Sequence, residues 1–234
     1  MNISVVTPVF SEDDSLCPLV DSLHKILGDN LSEIIIVYHP NSTDSCLKTL
    51  EILKKEYSKV TTMPQDLSEP GNGSAFRQGF AKIQGSHVLM IDSDGEMDVN
   101  TIPTMIKKMK QTRCDVVVSS RFMNGGEVKG YSFKKLILNR IFQYLFRVLY
   151  QTNLTDLTYG FKLIKTEVLK SIQWKAKFQD IGAETTLKPL KKGYIIQQVP
   201  TTWISRKAGG GNSLSIMGNL RYPLIALRIL LNKE

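Results

Sequence analysis

Two carboxylates one residue apart, in Asp92-Ser93-Asp94, stand at the exit of the apolar run Val88-Leu89-Met90-Ile91 and are followed by Gly95-Glu96. A short run of β-branched and long apolar side chains reads as a buried strand, so both carboxylates sit where the chain leaves the core. At strand spacing they project to one side, and like charges that close repel unless a cation lies between them. Oxygen-only ligands favour Mg²⁺ or Mn²⁺, ions that keep several waters and bind through one or two carboxylates plus substrate phosphates. The triplet predicts half of a metal and phosphate site, with a solvated acidic turn as its alternative.

Other segments could serve the same chemistry. Pro70-Gly71-Asn72-Gly73-Ser74-Ala75 precedes a helical stretch carrying Arg77. Glycines before a helix N-terminus let backbone N–H groups approach a phosphate, although a plain turn with an N-cap fits the same residues. Gly209-Gly210-Gly211-Asn212, flanked by Arg206 and Lys207, is either a loop that closes on a ligand or a surface loop. His24, His39 and His87 lack ligand spacing and read as structural.

The elements that must position these groups alternate. Strand-like apolar runs at 3–6, 34–38, 60–63, 88–91 and 116–119 are separated by segments of helical period at 16–27, 47–57, 75–83 and 102–109. Strand and helix in alternation imply right-handed crossovers and an α/β fold, a mainly parallel sheet with helices on both faces. Ligands of such sheets bind beyond the carboxyl ends of the strands, where Thr7-Pro8, the segment after Tyr38 and the Asp92 triplet all fall. Beyond residue 120 the pattern predicts a helix over 134–150, a short strand at 161–164, a helix over 182–192 and a strand over 194–203.

With 30 Lys and Arg against 22 Asp and Glu, a formal net charge of +8, the 234-residue chain suits one large domain with an anionic partner. Its basic residues are dispersed and no nucleic-acid motif occurs, so nucleic acid is not the expected partner. Cys17, Cys46 and Cys114 lie far apart, which points to a reducing compartment and suggests neither a zinc knuckle nor a disulfide framework. The N-terminus reads as a first core strand and not a signal peptide, and no run reaches the roughly 20 apolar residues of a spanning helix. On 134–150 the polar residues Lys135, Asn139, Arg140, Gln143 and Arg147 form one narrow stripe, and 214–231 is aliphatic with Arg221 and Arg228 a heptad apart. Such helices are core elements or lie in a lipid interface, and two of them favour a membrane surface. The expected location is cytoplasmic, against the cytoplasmic face of a membrane.

Together these residues resemble the family 2 glycosyltransferases of GT-A fold, nearest the branch of dolichyl-phosphate mannosyltransferase. Val5-Val6-Thr7-Pro8-Val9-Phe10-Ser11-Glu12 is similar to that family's V-I-P-x-Y-N-E start. The resemblance implies donor contacts from Pro8, Phe10 and Glu12, with Asp92, Ser93 and Asp94 as the metal-holding D-x-D and Glu96 as a further metal ligand. Ser120-Arg121-Phe122 with Gly125-Gly126 resembles its S-R-Y…G-G segment, whose arginine faces the acceptor phosphate. Asp156 with Gly160-Phe161-Lys162 resembles D-x-x-x-G-F-R, and Pro200 to Lys207 resembles P-x-x-W-x-x-R. One segment departs: where the family reads V-D-D-G-S, this chain has Val37-Tyr38-His39-Pro40-Asn41-Ser42-Thr43-Asp44, so Tyr38 and Asp44 become the candidates for reading the base.

The resemblance implies an inverting transfer from a nucleotide-sugar bound mainly by residues 1–120 to an acceptor bound by 121–234. The metal and Arg77 or a neighbouring cation would neutralise the leaving diphosphate, with Gly73 among the donor-binding residues. A polyprenyl phosphate acceptor is already anionic, and Arg121, Arg140 and Arg206 would position it. A saccharide or other hydroxyl acceptor instead requires a base, for which Asp180 or Glu184 is placed by family position.

Overall fold

The computed structural model describes residues 1–205 and 216–231. In chain order the elements are β1 (Ile3–Val9), α1 (Asp13–Leu27), β2 (Leu31–Tyr38), α2 (Asp44–Glu56), β3 (Val60–Pro64), α3 (Asn72–Phe80), β4 (His87–Met90), α4 (Ile102–Thr112) and β5 (Val116–Ser120). They continue with β6 (Glu127–Lys129), α5 (Phe133–Leu149), β7 (Lys162–Lys165), α6 (Thr166–Ser171), α7 (Ile181–Lys191), β8 (Ile196–Pro200), β9 (Thr202–Ile204) and α8 (Ile216–Leu230). Seven strands form one sheet in the order β3-β2-β1-β4-β7-β5-β8. All its pairings are parallel except those of β7, which runs antiparallel between β4 and β5.

Strands buried on both faces carry unbroken apolar runs, and alternate residues go to opposite cores. Val5, Ile34, Ile36 and Val117 pack with Leu16, Leu23, Leu50 and Met105 of α1, α2 and α4. Val6, Ile35, Val37, Val116 and Val118 pack on the other face with Phe76, Phe146, Val168, Leu187 and Ile225 of α3, α5, α6, α7 and α8. The sheet is therefore covered on both sides, as the alternation predicts.

The second half adds detail to the sequence pattern. The strand expected over 194–203 divides at Thr201, whose hydroxyl meets that of Thr101 at 2.8 Å. Before it β8 pairs with β5 up to Pro200, and after it β9 pairs in parallel with β6, a strand the pattern did not predict. Helix α5 is turned over relative to an ordinary amphipathic helix: Gln143 is 3 % exposed while Leu138 and Tyr144 are 68 and 70 % exposed. Asn139, Gln143 and Arg147 of its polar stripe are half-buried or buried against the protein, Arg140 is exposed, and most of its apolar side faces outward. Helix α8 lies beside it, with the Tyr150 hydroxyl donating to the Ala226 carbonyl at 2.6 Å and Phe142 edge-on to Tyr222.

Lys162 stands opposite Met90 and Val118 in the sheet, fully buried, with Nζ donating to the Gly182 carbonyl and to Thr185 Oγ1 at 2.7 Å. Burial pushes its pKa down to about 7 from 10.5, with the Asp156 charge acting in the opposite direction. Between those values the unfolded chain holds a proton that the folded chain has released, so this group's penalty is complete below pH 7 and fades as pH rises. Lys162→Met should therefore stabilise the fold most at acid pH. Its advantage over the parent should shrink by up to about 1.4 kcal/mol per pH unit across that window, which thermal unfolding at pH 6 and above 9 would measure.

Candidate active site

At the carboxyl edge of β4, Ser93 is buried while Asp92 and Asp94 are half-buried, so the two carboxylates share one side as their spacing requires. Ser93 fixes the turn: its hydroxyl donates to the Pro8 carbonyl at 2.7 Å, and its own carbonyl accepts from Ser15 Oγ at 2.5 Å. Asp94 Oδ1 accepts the Glu96 N–H at 3.0 Å. The Glu96 carboxylate accepts from the Trp203 indole at 3.1 Å, tying this turn to β9. Among the described residues no three His, Cys, Asp or Glu side chains converge as a metal cage. Two hard carboxylates with room for phosphate oxygens and water fit Mg²⁺ or Mn²⁺, which rarely use an all-protein cage.

The ends of β1 and β2 flank this turn. Glu12 accepts from the N–H groups of Phe10 and Ser11 at 2.6 and 3.0 Å, holding the chain beyond Pro8 in a tight bend. Phe10 is 55 % exposed and packs edge-on to His39 with ring centres 4.9 Å apart. His39 thus belongs to an open aromatic edge, although its lack of ligand spacing read as structural. Tyr38 packs partly against the core, and Asp44 is exposed in the first turn of α2, whose N-cap is Thr43. An exposed aromatic edge and a carboxylate thus follow the carboxyl ends of β1 and β2.

The glycine segment packs closely against the chain before α7. A Cβ at Gly71 would lie 2.2 Å from the Lys177 carbonyl, and one at Gly73 would lie 2.4 Å from that of Phe178. The Ser74 N–H already donates to the Lys177 carbonyl at 3.1 Å, so the start of α3 is capped by the chain before α7. Close backbone approach by itself requires a glycine at position 73. Arg77 likewise pairs with Glu69 at 2.5 Å and donates to the Trp174 carbonyl at 3.1 Å, which makes it a clamp on the same segment.

Arg121 leaves β5 as a buried cation. Its Nε donates to Asp156 Oδ2 at 2.7 Å and its Nη2 to Oδ1 at 3.1 Å, a bidentate pair with side chains 8 and 0 % exposed. Burial works against the charge, and the Asp156 carboxylate more than offsets it, so the guanidinium stays protonated. Gln143 of α5 completes the cluster, donating to Thr158 Oγ1 at 3.0 Å and accepting the Leu157 N–H at 2.7 Å. The ring of Tyr159 lies 4.4 Å from the Arg121 guanidinium. Phe122 is approached by two cations, Arg121 at 5.1 Å and Arg140 of α5 at 4.6 Å. Arg140 is thereby brought to Arg121, whereas Arg206 lies outside the described residues.

The two base candidates separate. Glu184 is fully buried, accepts the N–H groups of Lys175 and Ala176 at 2.9 Å each, and pairs with Lys188 at 2.7 Å. Its carboxylate is consumed in holding the 174–176 turn, so it is a structural group and not a base. Asp180, at the start of α7, is half-buried and accepts the Phe178 N–H at 3.0 Å.

The fold and this edge define a mainly parallel α/β sheet with an acidic turn beyond the carboxyl ends of its strands, and comparison with known proteins gives it a family. Residues 4–173 match the model of "Glycosyl transferase family 2", and the chain belongs to that family. It is 24 % identical over 213 residues to the dolichol-phosphate mannosyltransferase of Pyrococcus furiosus, covering 89 % of this chain and 58 % of that one. It is 23 % identical to the polyprenol monophosphomannose synthase of Mycolicibacterium smegmatis, over 88 % of this chain and 78 % of the relative. Among solved structures, glucosyl-3-phosphoglycerate synthase from Mycobacterium tuberculosis with Mn²⁺, UDP and phosphoglyceric acid superposes with a TM-score of 0.71 at 19 % identity, over 98 % of this chain and 78 % of that one. The same enzyme with Mg²⁺ and UDP gives 0.71 at 20 % identity, over 98 and 79 %. These likenesses establish the GT-A fold.

Removing one member of a buried pair leaves an uncompensated charge, whereas an exposed pair is worth little. Asp156→Ala should cost about 3–5 kcal/mol in urea unfolding, because Arg121 would be stranded. Glu69→Ala, which removes a partner that is 47 % exposed, should cost less than about 1 kcal/mol in the same assay.

Proposed function

We propose that this chain is a metal-dependent glycosyltransferase that moves a sugar from a nucleotide-sugar to the phosphate of a polyprenyl lipid at a membrane surface. The observation that carries the reading is on α5. The helix that presents exposed Phe133, Leu138, Ile141, Tyr144 and Val148 also delivers Arg140 to the ring it shares with Arg121. An apolar face edged by cations suits a lipid with an anionic head. The names of the Pyrococcus and Mycolicibacterium relatives support the same acceptor class.

In this reading Asp92 and Asp94 hold Mg²⁺ or Mn²⁺, and the ion, when bound, neutralises charge on the leaving nucleoside diphosphate as a Lewis acid. The Mn²⁺ and Mg²⁺ found with UDP in the mycobacterial structures support that choice. Phe10, Tyr38 and Asp44 border the nucleoside, with Pro8 and Ser93 setting the turn between base and metal. Arg121 Nη1, the guanidinium nitrogen without a partner among the described residues, is available to the acceptor phosphate together with Arg140. Such a phosphate is ionised before it attacks, so no side chain has to remove its proton. That agrees with the engagement of Glu184 elsewhere. A hydroxyl acceptor, the alternative, would depend on Asp180.

No described helix is long and apolar enough to cross a membrane, so contact would be made from the surface. Arg221 is stacked on Phe178 at 3.6 Å, which leaves the apolar side of α5, more than that arginine, to make it. Two outcomes test the proposal. GDP and UDP titrated calorimetrically with Mn²⁺ should include a metal-dependent binder, and Asp94→Asn should weaken it by roughly tenfold or more, a lost charged ligand being worth over about 1.4 kcal/mol. Equal metal-dependent affinity in variant and parent rejects the ligand assignment. The protein should co-sediment with anionic vesicles and detach only in part in high salt, because burial of aliphatic groups is not screened. Leu138→Glu with Tyr144→Glu should abolish most of that binding, and a parent that stays in the supernatant favours the hydroxyl acceptor.

A further inference from the structure

Tyr159 ends the loop that leads into β7, and its side chain is 5 % exposed. Its ring rests against the Arg121 guanidinium, yet its hydroxyl is buried without a hydrogen-bond partner among the described residues. Buried hydroxyls almost always find a partner, and one that lacks it in the protein alone is explained when a ligand supplies it. The surroundings say what kind. Burial holds the phenol proton on, Arg121 favours its release, and the carboxylates of Asp92, Asp156 and Asp94 oppose release. The hydroxyl is therefore a neutral donor in the electrostatic field of both the metal-type carboxylates and the acceptor-type arginine. The adjoining Gly160 touches the same turn, since a Cβ there would lie 4.0 Å from Asp92 Oδ2.

We infer that the Tyr159 hydroxyl donates a hydrogen bond to a phosphate oxygen of the bound substrates, making it a binding residue at the junction of the donor and acceptor subsites. The inference rests on the reading of this edge as a nucleotide-sugar and phosphate site. A neutral donor suits that junction. It adds an N–H-like contact for the anion without altering the balance between Arg121 and the three carboxylates, and the cation–π contact fixes its aim. The phosphate could belong to the donor diphosphate or to the acceptor.

Tyr159→Phe separates the possibilities, because it keeps the ring on Arg121 and removes only the hydroxyl. Without ligand the variant should melt no lower than the parent, since no hydrogen bond in the protein is lost. A fall in that melting temperature overturns the inference by making the hydroxyl a structural group. With Mn²⁺ and either GDP or UDP, whichever the parent binds, weakening on the order of tenfold assigns the contact to the donor diphosphate. Unchanged nucleotide binding with a similar rise in KM for a short-chain polyprenyl phosphate, kcat being spared, assigns it to the acceptor. Values indistinguishable from the parent in both arms overturn it. If the parent binds neither nucleotide with Mn²⁺, the underlying site reading falls and this inference with it, an outcome read from the parent alone.

Discussion

The pairing of Arg121 with Asp156 organises the second half of the molecule. A guanidinium this deeply buried is tolerable only with a carboxylate in bidentate register, and that carboxylate is delivered by the loop before β7. Once the pair forms, Gln143 of α5, Thr158 and the ring of Tyr159 acquire fixed positions around it. The strand exit that carries Arg121, the loop that carries Asp156 and the helix that carries Arg140 are thereby joined at one point. Stability and the geometry of this edge follow from the same contact.

Much of the fold was legible because strands buried on both faces leave unbroken apolar runs, and each of the runs at 3–6, 34–38, 60–63, 88–91 and 116–119 lies in a strand or extends one. The placement of Asp92 and Asp94 was legible for the same reason, since alternation continues one turn past the strand. The errors arose where a residue type reports a constraint without naming its source. Gly73 signals close approach, but not that the approaching group is the Phe178 carbonyl. Glu184 is acidic and near the right place, yet its neighbour Lys188, four residues on, was a warning visible in the chain itself. Asp156 emerged only through family resemblance, because its partner is 35 residues away and no local pattern links them.

Helix α5 illustrates a different limit. The narrow polar stripe left open whether the apolar remainder meets a core or an interface, and the structure buries Gln143 and Phe146 while Phe133 is 74 % exposed. Periodicity gives the direction of an amphipathic axis but not its sense. The sense is set by the buried Arg121 and Asp156 cluster, which takes the Gln143 amide and the Thr158 hydroxyl as partners and so holds that side of the helix inward.

The reversed strand β7 has a consequence for biosynthesis. Sheet neighbours of β1, β2 and β3 are available once β4 has been made, so that parallel unit can assemble early. Strand β5 is in a different position, because both of its neighbours, β7 and β8, are encoded downstream of it. Its fully buried Val116-Val117-Val118 core must emerge from the ribosome and wait, unpaired, for at least the segment that ends at Lys165. Translation pace and chaperone access across that interval, and not the early strands, would govern whether this apolar strand seats in its own sheet or in another chain's.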